Sequence, residues 1–258
     1  MNLAFRWMHR KSKVFADEYI RTVESLARSY DCGSIAIAGD WGGSRYRKEI
    51  FPEYKANRKE KYKDQSEEDA EYFKAFFAEL QNTLDQLEEK GYPVFRYQGV
   101  EADDIAAMLV HFRQDYMFDY IWLITSDRDW DLLIDDNVSR FSTVTRTEYT
   151  PDTWDIDVPL EEYLTLKCLQ GDSGDNIPGV PGVGPVRAKA LIEKYGNVFD
   201  IYDHCPLPGK AKYITSVNEH AEQLLLNVQL MDLKTYFPQA IGEENLKDIH
   251  GRMVAYGN

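Results

Sequence analysis

Apolar residues recur at helical spacing between Val14 and Tyr30, at Val14, Phe15, Ile20, Val23, Leu26 and Ala27, which predicts an amphipathic helix. A short apolar run at 34–39 (SIAIAG) ends at Asp40 and has the length of a buried strand. Ser66 followed by Asp69 resembles a capping box, and the helix it opens runs to about Lys90, with Gly91 as its stop signal. The pattern then repeats as a strand at 93–97 (PVFRY), a helix from about 103 to 114, a strand at 120–125 (YIWLIT) and a short helix through Leu132 and Leu133. Strands alternating with helices imply βαβ units and a mainly parallel sheet. The stretch 138–149 (VSRFSTVTRTEY) is rich in β-branched and aromatic residues and predicts a strand pair. After Pro159 the pattern is helical, interrupted by a Gly/Pro-dense connector at 178–185. The expected architecture is an α/β core over 1–157, with helices flanking the sheet, and a helical region over 158–258.

The length, 258 residues, suits one large α/β domain or a domain with a lobe. With 30 basic and 44 acidic residues the formal charge is −14, a balance that ordinarily argues against a nucleic-acid partner. Three distant cysteines (Cys32, Cys168, Cys205) exclude a disulfide framework and a CxxC zinc site and point to a reducing compartment, the cytoplasm. No apolar run approaches the ~18 residues of a membrane span. Met1 to Lys13 carries basic residues but no apolar stretch of signal-peptide type, so a soluble, non-secreted monomer is expected.

In an open parallel sheet, chemistry collects at the carboxyl ends of the strands. Asp40 follows the first strand; Glu101, Asp103 and Asp104 follow the second in GVEADD; Asp127 and Asp129 follow the third in TSDRDWD. A further pair, Asp172 and Asp175, lies in GDSGDN after a helix ending near Leu169. Any one of these could be a helix cap or a solvated residue, and Asp104 could simply favour a helix dipole. Eight ionised carboxylates in one cleft, however, repel strongly unless cations neutralise them. Oxygen-only donors select hard ions, Mg²⁺ or Mn²⁺, and this number suits two ions about 4 Å apart, the arrangement that clamps attacking and leaving oxygens in phosphodiester cleavage. A calcium loop fits poorly. Asp127, Asp129 and Asp131 give its opening, but Leu132 stands where Gly is needed and Val138 where the bidentate Glu belongs.

Against the overall charge, residues 45–63 hold eight basic and three acidic residues interleaved with Tyr46, Tyr54 and Tyr62. Such a segment is either a solvated loop or a surface that neutralises phosphates and stacks on unpaired bases, with Arg45, Arg47, Tyr54, Lys59 and Lys61 as candidate DNA contacts. Its PEYKANR stretch would bring Lys55 and Arg58 near the carboxylates, to hold a phosphate and stabilise transition-state charge. In GVPGVGPVRAKALIEKYGN, Gly179, Gly182 and Gly184 make a tight turn before a helix from about Pro185 to Tyr195. A dinucleotide fingerprint is excluded because Arg187 replaces the third Gly and no strand precedes it. The turn reads as a helix-hairpin-helix type, or as an ordinary interhelical turn. In the first case its N–H groups, with Arg187 and Lys189, bind DNA phosphates without reading sequence.

Taken together, GVEADD, TSDRDWD, GDSGDN, GVPGVGPVRAKAL and PEYKANR resemble, in order and approximate spacing, the motifs of the 5′-nucleases, most closely the bacteriophage flap endonucleases or 5′–3′ exonucleases. The resemblance implies a parallel α/β core of PIN-like type with a helical arch at about 45–90. It also implies divalent-metal hydrolysis of phosphodiesters near 5′ ends, flaps, overhangs and branch points of DNA in replication. By resemblance, Asp40, Glu101 and Asp103 fall at first-metal positions, Asp104, Asp127, Asp129, Asp172 and Asp175 match the second set, and Lys55 and Arg58 match the phosphate-handling pair. The glycine hairpin at 176–197 would hold the duplex with a monovalent cation, K⁺. One departure stands out. Family members open with an apolar strand ending in a D-G-T-N-type turn whose Asp is a metal ligand, whereas this sequence opens with Met1-Asn2-Leu3-Ala4-Phe5, like the residues just after that turn. The readings this leaves open are a start placed too late, a weak or inactive DNA-binding homologue, and a strand supplied by a partner. A metal phosphohydrolase acting on small substrates is a further alternative.

Overall fold

The structure is a computed structural model and describes residues 2–58 and 66–257. Its first part alternates strands and helices as the patterning predicts. β1 (Ile37–Ala38) pairs in parallel with β2 (Val94–Phe95), Ile37 opposite Val94. β3 (Ile121–Ile124) pairs in parallel with β4 (Val138–Ser142), which pairs antiparallel with β5 (Thr147–Tyr149). The helix Glu67–Glu89 leads into β2, and the helix Ala102–His111 lies between β2 and β3. The expected cap is in place, with Ser66 Oγ accepting the Asp69 N–H at 3.2 Å, where it satisfies a backbone donor that the first helical turn leaves free. Residues Lys59 and Lys61 of the basic segment lie outside the described residues.

Period-2 patterning places the two faces of the β1–β2 pair in different apolar clusters with helices. Ile37 and Val94 pack with Tyr19, Phe76, Leu80 and Leu84 from the helices Ala16–Ser29 and Glu67–Glu89. Ala38 and Phe95 point the other way, into a cluster with Ile105, Met108, Leu123 and Val138. Leu233, Phe237, Ile249 and Met253 join that second cluster, so the last two helices, Leu233–Ile241 and Glu243–Gly257, fold back onto the α/β part. A third cluster, with Leu169, Leu191, Ile201, Val217 and Leu224 fully or almost fully buried, holds the helical part together.

Two elements differ from expectation. The strand read over 34–39 is ordered as a ladder only at 37–38 and is half-buried, because it has a partner along one edge alone. The stretch around GDSGDN, read as part of an all-helical region, contains a small antiparallel ladder of β6 (Gly171–Asp172) and β7 (Ile177–Pro178). Apolar periodicity is blind to a ladder this short. What builds it is close backbone approach, since a Cβ on Gly179 would lie 2.2 Å from the Gln170 carbonyl group and one on Gly171 2.2 Å from the Gly179 nitrogen.

Candidate active site

The two parallel strand pairs put their carboxyl ends at one rim. Asp40, Glu101, Asp103, Asp127, Asp129, Asp172 and Asp175 all border one cavity of about 1560 Å³, together with Tyr54, Lys55 and Arg58. Four stretches separated by tens of residues thus deliver seven carboxylates to one cleft. Their mutual influence is direct. Burial and the charges of Asp40, Asp127 and Glu101 push the Asp103 carboxyl well above the usual range, and burial with Asp129 raises Asp127.

Fixed hydrogen bonds hold the acids. Asp40 Oδ1 accepts the Ala102 N–H at 3.0 Å, tying the end of β1 to the start of the helix Ala102–His111. Asp103 Oδ1 accepts from the Trp130 indole at 2.6 Å. Asp127 caps its own turn by accepting the Asp129 N–H at 3.1 Å, and Asp172 Oδ1 accepts the N–H groups of Gly174 and Asp175. Positive groups bridge the rest. Lys55 Nζ lies 2.7 Å from Glu101 and 3.4 Å from Asp175, while the Tyr54 hydroxyl donates to Glu101 at 2.8 Å and lies 3.0 Å from Asp175. Burial alone would raise the pKa of Glu101, but Lys55 and Arg47 hold it below the ordinary value. Arg58, half-exposed, lies 2.7 Å from the other oxygen of Asp175. The backbone N–H of Lys55 donates to the Asp175 carbonyl, with Lys55 at φ 56°, so the basic segment is pinned to the acidic loop.

Three of the sequence-derived roles need correction. Asp104 does not face the cleft. It is fully buried, and both its oxygens accept from the Arg47 guanidinium at 2.7 and 2.8 Å, which pairs it inside the protein and leaves it off the wall of the cavity. Arg47 in turn is 3% exposed and its Nε donates to the Leu230 carbonyl, so it has no surface to offer DNA. Tyr54 is buried with its hydroxyl between Glu101 and Asp175, so its ring is held inside the protein and not offered as an exposed stacking face. Gly179, half-buried, keeps its place as a candidate and also makes the close approach to Gly171 described above.

The remaining candidates among the described residues are accessible. Arg45 is exposed and lies over Gly99. Arg187 is exposed and donates to the Gly182 carbonyl, and Lys189 is paired with Asp157. Gly182 has φ +78°, the left-handed region that favours glycine, and Gly184 is the residue before the Pro185–Tyr195 helix.

Sequence reasoning missed three residues. Lys167, on the helix Tyr163–Gln170, places its ammonium 2.6 Å from Asp129 and 3.3 Å from Asp172; its signal was a lone lysine inside the apolar run LTLKCL. Trp130 orients Asp103. Beneath the third strand, the almost fully buried Arg140 pairs with fully buried Asp131 and donates to the Thr125 carbonyl, fixing the turn that presents Asp127 and Asp129.

The donors in the cleft are all carboxylate oxygens, with no His or Cys among the residues lining the acidic rim, which fits a hard divalent cation in kind. Among the described residues no three such groups surround a single point at ligating geometry; the ammonium groups of Lys55 and Lys167 stand between the carboxylates instead.

Family models for the N-terminal resolvase-like domain and the C-terminal SAM fold of 5′–3′ exonucleases match residues 11–157 and 158–251. The flap endonuclease of Escherichia phage T5 is 44% identical over 245 residues, covering 93% of this chain and 83% of that protein. This chain belongs to the 5′–3′ exonuclease family. A 5′–3′ exonuclease of Buchnera aphidicola is 26% identical over 236 residues, covering 88% of this chain and 78% of that protein. Among solved structures, the phage T5 D15 protein co-crystallised with metal ions superimposes with a TM-score of 0.92 at 41% identity, covering all of this chain and 97% of that one. A complex of the D15 flap endonuclease with DNA and metal ions also gives a TM-score of 0.92, covering 99% of this chain and 96% of that one. The fold inferred from patterning, an α/β core followed by a helical region, is therefore that of the 5′–3′ exonucleases. No helix of the described residues is long and apolar enough to cross a membrane.

Proposed function

We propose that this protein is a divalent-metal-dependent, structure-specific 5′-nuclease that hydrolyses phosphodiesters near 5′ ends, flaps and branch points of DNA. The observation that carries the reading is the gathering of seven carboxylates from four stretches of chain into one cleft, with Lys55 and Arg58 on its rim. The relative named a flap endonuclease and the solved D15 complex with DNA and metal ions support it. Asp40, Glu101 and Asp103 would hold one ion and Asp127, Asp129, Asp172 and Asp175 a second, Mg²⁺ or Mn²⁺. Bound there, the ions would supply an activated water and Lewis-acid polarisation of the phosphodiester. The chain's own residues do the rest. Lys55 and Arg58 exchange their carboxylate partners for the scissile phosphate and stabilise charge on it. Trp130 holds Asp103 in orientation, and the buried Arg140–Asp131 pair keeps the 125–131 turn rigid. Away from the cleft, the Gly182–Gly184 turn and the N-terminus of the Pro185–Tyr195 helix offer backbone N–H groups to duplex phosphates, with K⁺ as the accompanying cation. The protein would act as a monomer in the cytoplasm, that of the bacterial host if it is phage-encoded.

The test is Asp127→Asn assayed on a 5′-flap DNA with Mg²⁺ or Mn²⁺. A rate loss of roughly a hundredfold or more, with DNA binding retained, is expected from removing one charge at the reacting phosphate. Unchanged cleavage would remove the chemical assignment. Lys55→Ala with flap DNA and with a small phosphodiester, side by side, separates a nuclease from a phosphohydrolase of small substrates.

A further inference from the structure

One exposed aromatic side chain on the wall of the cleft has no part in the carboxylate arrangement. Trp41 follows Asp40 directly, borders the same cavity and is 48% exposed. A single apolar side chain at a surface needs no explanation by itself, but this one is held in place from several sides. Its backbone forms an antiparallel bridge with Val100. The Trp41 N–H donates to the Val100 carbonyl at 3.3 Å, and the Trp41 carbonyl accepts the Gly99 N–H at 2.7 Å. The bridge joins the residue after Asp40 to the residue before Glu101, so the indole is fixed relative to two of the acids.

The ring itself has a backing. The Arg96 guanidinium lies over it, 5.3 Å from the ring centroid. Arg96 is anchored in turn, its Nε donating to the Asp40 carbonyl at 3.1 Å and its Nη1 to Gln81 on the helix Glu67–Glu89. The next two residues, Gly42 and Gly43, carry no side chain to cover the indole. Cations also gather at this turn although the chain is −14 overall: Lys48 Nζ donates to the Gly42 carbonyl at 3.4 Å, and the Arg45 side chain lies against Gly99. An ordered aromatic ring among positive charges is what binds unpaired nucleotides, the ring stacking on a base and the cations meeting the phosphates. A base inside a duplex has both faces covered by its neighbours, so the occupant is a base outside one. Consecutive Cα atoms lie ~3.8 Å apart, which puts that base on a nucleotide flanking the phosphate in the cleft.

We propose that Trp41, backed by Arg96, is a stacking platform for one unpaired nucleobase of the DNA strand being cut, on a nucleotide flanking the scissile phosphate. The inference rests on the nuclease reading and adds a subsite to it. Lys55 and Arg58 engage phosphate, which every nucleotide carries, whereas the platform engages a base only where it has left its stack. It thereby favours unpaired over paired DNA at the cleft, and it does so without reading sequence because every base has a π-face.

The experiment uses the 258-residue chain, Trp41→Ala and Trp41→Phe on a 5′-flap DNA, and on two versions of it that lack one base, on the 5′ or the 3′ side of the scissile phosphate. Binding is followed by fluorescence anisotropy in EDTA and cleavage as kcat/KM with Mg²⁺. Trp41→Ala should weaken binding of the intact flap by roughly tenfold and lower kcat/KM by a similar factor, with Trp41→Phe recovering most of both. The parent should lose a similar factor on one of the abasic flaps, and on that flap Trp41→Ala should cost little more. Such non-additivity marks a direct contact, and a merely structural role of Trp41 does not produce it. Each variant is compared with itself on different DNAs, so any loss of folded protein cancels. Trp41→Ala that binds the intact flap like the parent, or that costs the same factor on all three DNAs, would overturn the platform and leave the nuclease reading standing. Cleavage unaffected by Asp127→Asn would remove the nuclease chemistry, with the binding arm still deciding the platform. A parent that neither binds nor cuts flap DNA would overturn both.

Discussion

The Arg47–Asp104 pair is the sharpest place to separate a structural role from a DNA-binding one, since residue type and position in a basic segment suggested the second. Arg47→Met keeps most of the side-chain volume and removes the charge. Five hydrogen bonds are lost, two to Asp104 at 2.7 and 2.8 Å, one to the Leu230 carbonyl at 2.8 Å, and longer ones of 3.4 Å to Ser44 and to Glu101, all inside the protein. Removing one partner of a buried pair costs about 3–5 kcal/mol, because the other charge stays behind uncompensated. For a chain of this size each kcal/mol moves the melting temperature by about 2–4 °C, so a drop of roughly 6–20 °C is expected by calorimetry or circular dichroism. The loss also acquires a pH dependence. Burial raises the Asp104 pKa and Arg47 is the main group opposing that rise. In Arg47→Met the folded carboxyl therefore binds its proton well above the unfolded value of about 3.9, and stability falls as pH rises from there toward the folded pKa. The variant should be least stable at alkaline pH, and Asp104→Leu in its background should recover part of the loss. DNA affinity per folded molecule should keep its salt slope, whereas a lost phosphate contact would lower that slope by about 0.9. A variant that melts like the parent but shows a shallower slope would refute the structural assignment of Arg47.

Other substitutions probe the site from different sides. Gly179→Ala forces a Cβ to within 2.2 Å of backbone and should cost about 1–3 kcal/mol or more, while Gly184→Ala meets nothing within 4 Å and should stay within about 0.5 kcal/mol in thermal melts. If Gly184 offers its N–H side to phosphate, that same variant should weaken duplex binding without changing stability, as measured by fluorescence anisotropy. Lys167→Met leaves Asp129 and Asp172 facing each other without their shared cation. It should lower the melting temperature in EDTA and show a larger stabilisation by Mg²⁺ than the parent; equal shifts in both proteins would count against a cation site there. Arg140→Met should destabilise by about 1–3 kcal/mol, because buried Asp131 then keeps only the partly exposed Arg128 as its cation, with Arg140→Lys recovering part of the stability.

What could be read from the chain, and what could not, divides along the range of the forces involved. The long helices were legible because each is written in local periodicity, and the Ser66 cap and the Pro185–Tyr195 helix appear where their start signals stand. The acidic clusters were legible because their position after strands is a topological rule and needs no knowledge of partners. Asp103 and Asp104 show where this stops. They are neighbours at the start of one helix, and about 100° of rotation per residue sends one toward the cleft and the other into the interior. Only Arg47, more than fifty residues earlier, decides which side is which. Tyr54 fails for the same reason, since an aromatic in a basic segment carries no mark that its hydroxyl will sit between two carboxylates. Lys167 was the converse, a charge in an apolar helix whose desolvation demanded a buried anion even though the sequence does not name it. The edges of β1 were the least legible of all. An apolar run announces a strand, but whether both of its edges are paired depends on segments that local pattern cannot see, and that question governs how much of the run is ordered as sheet at 34–39.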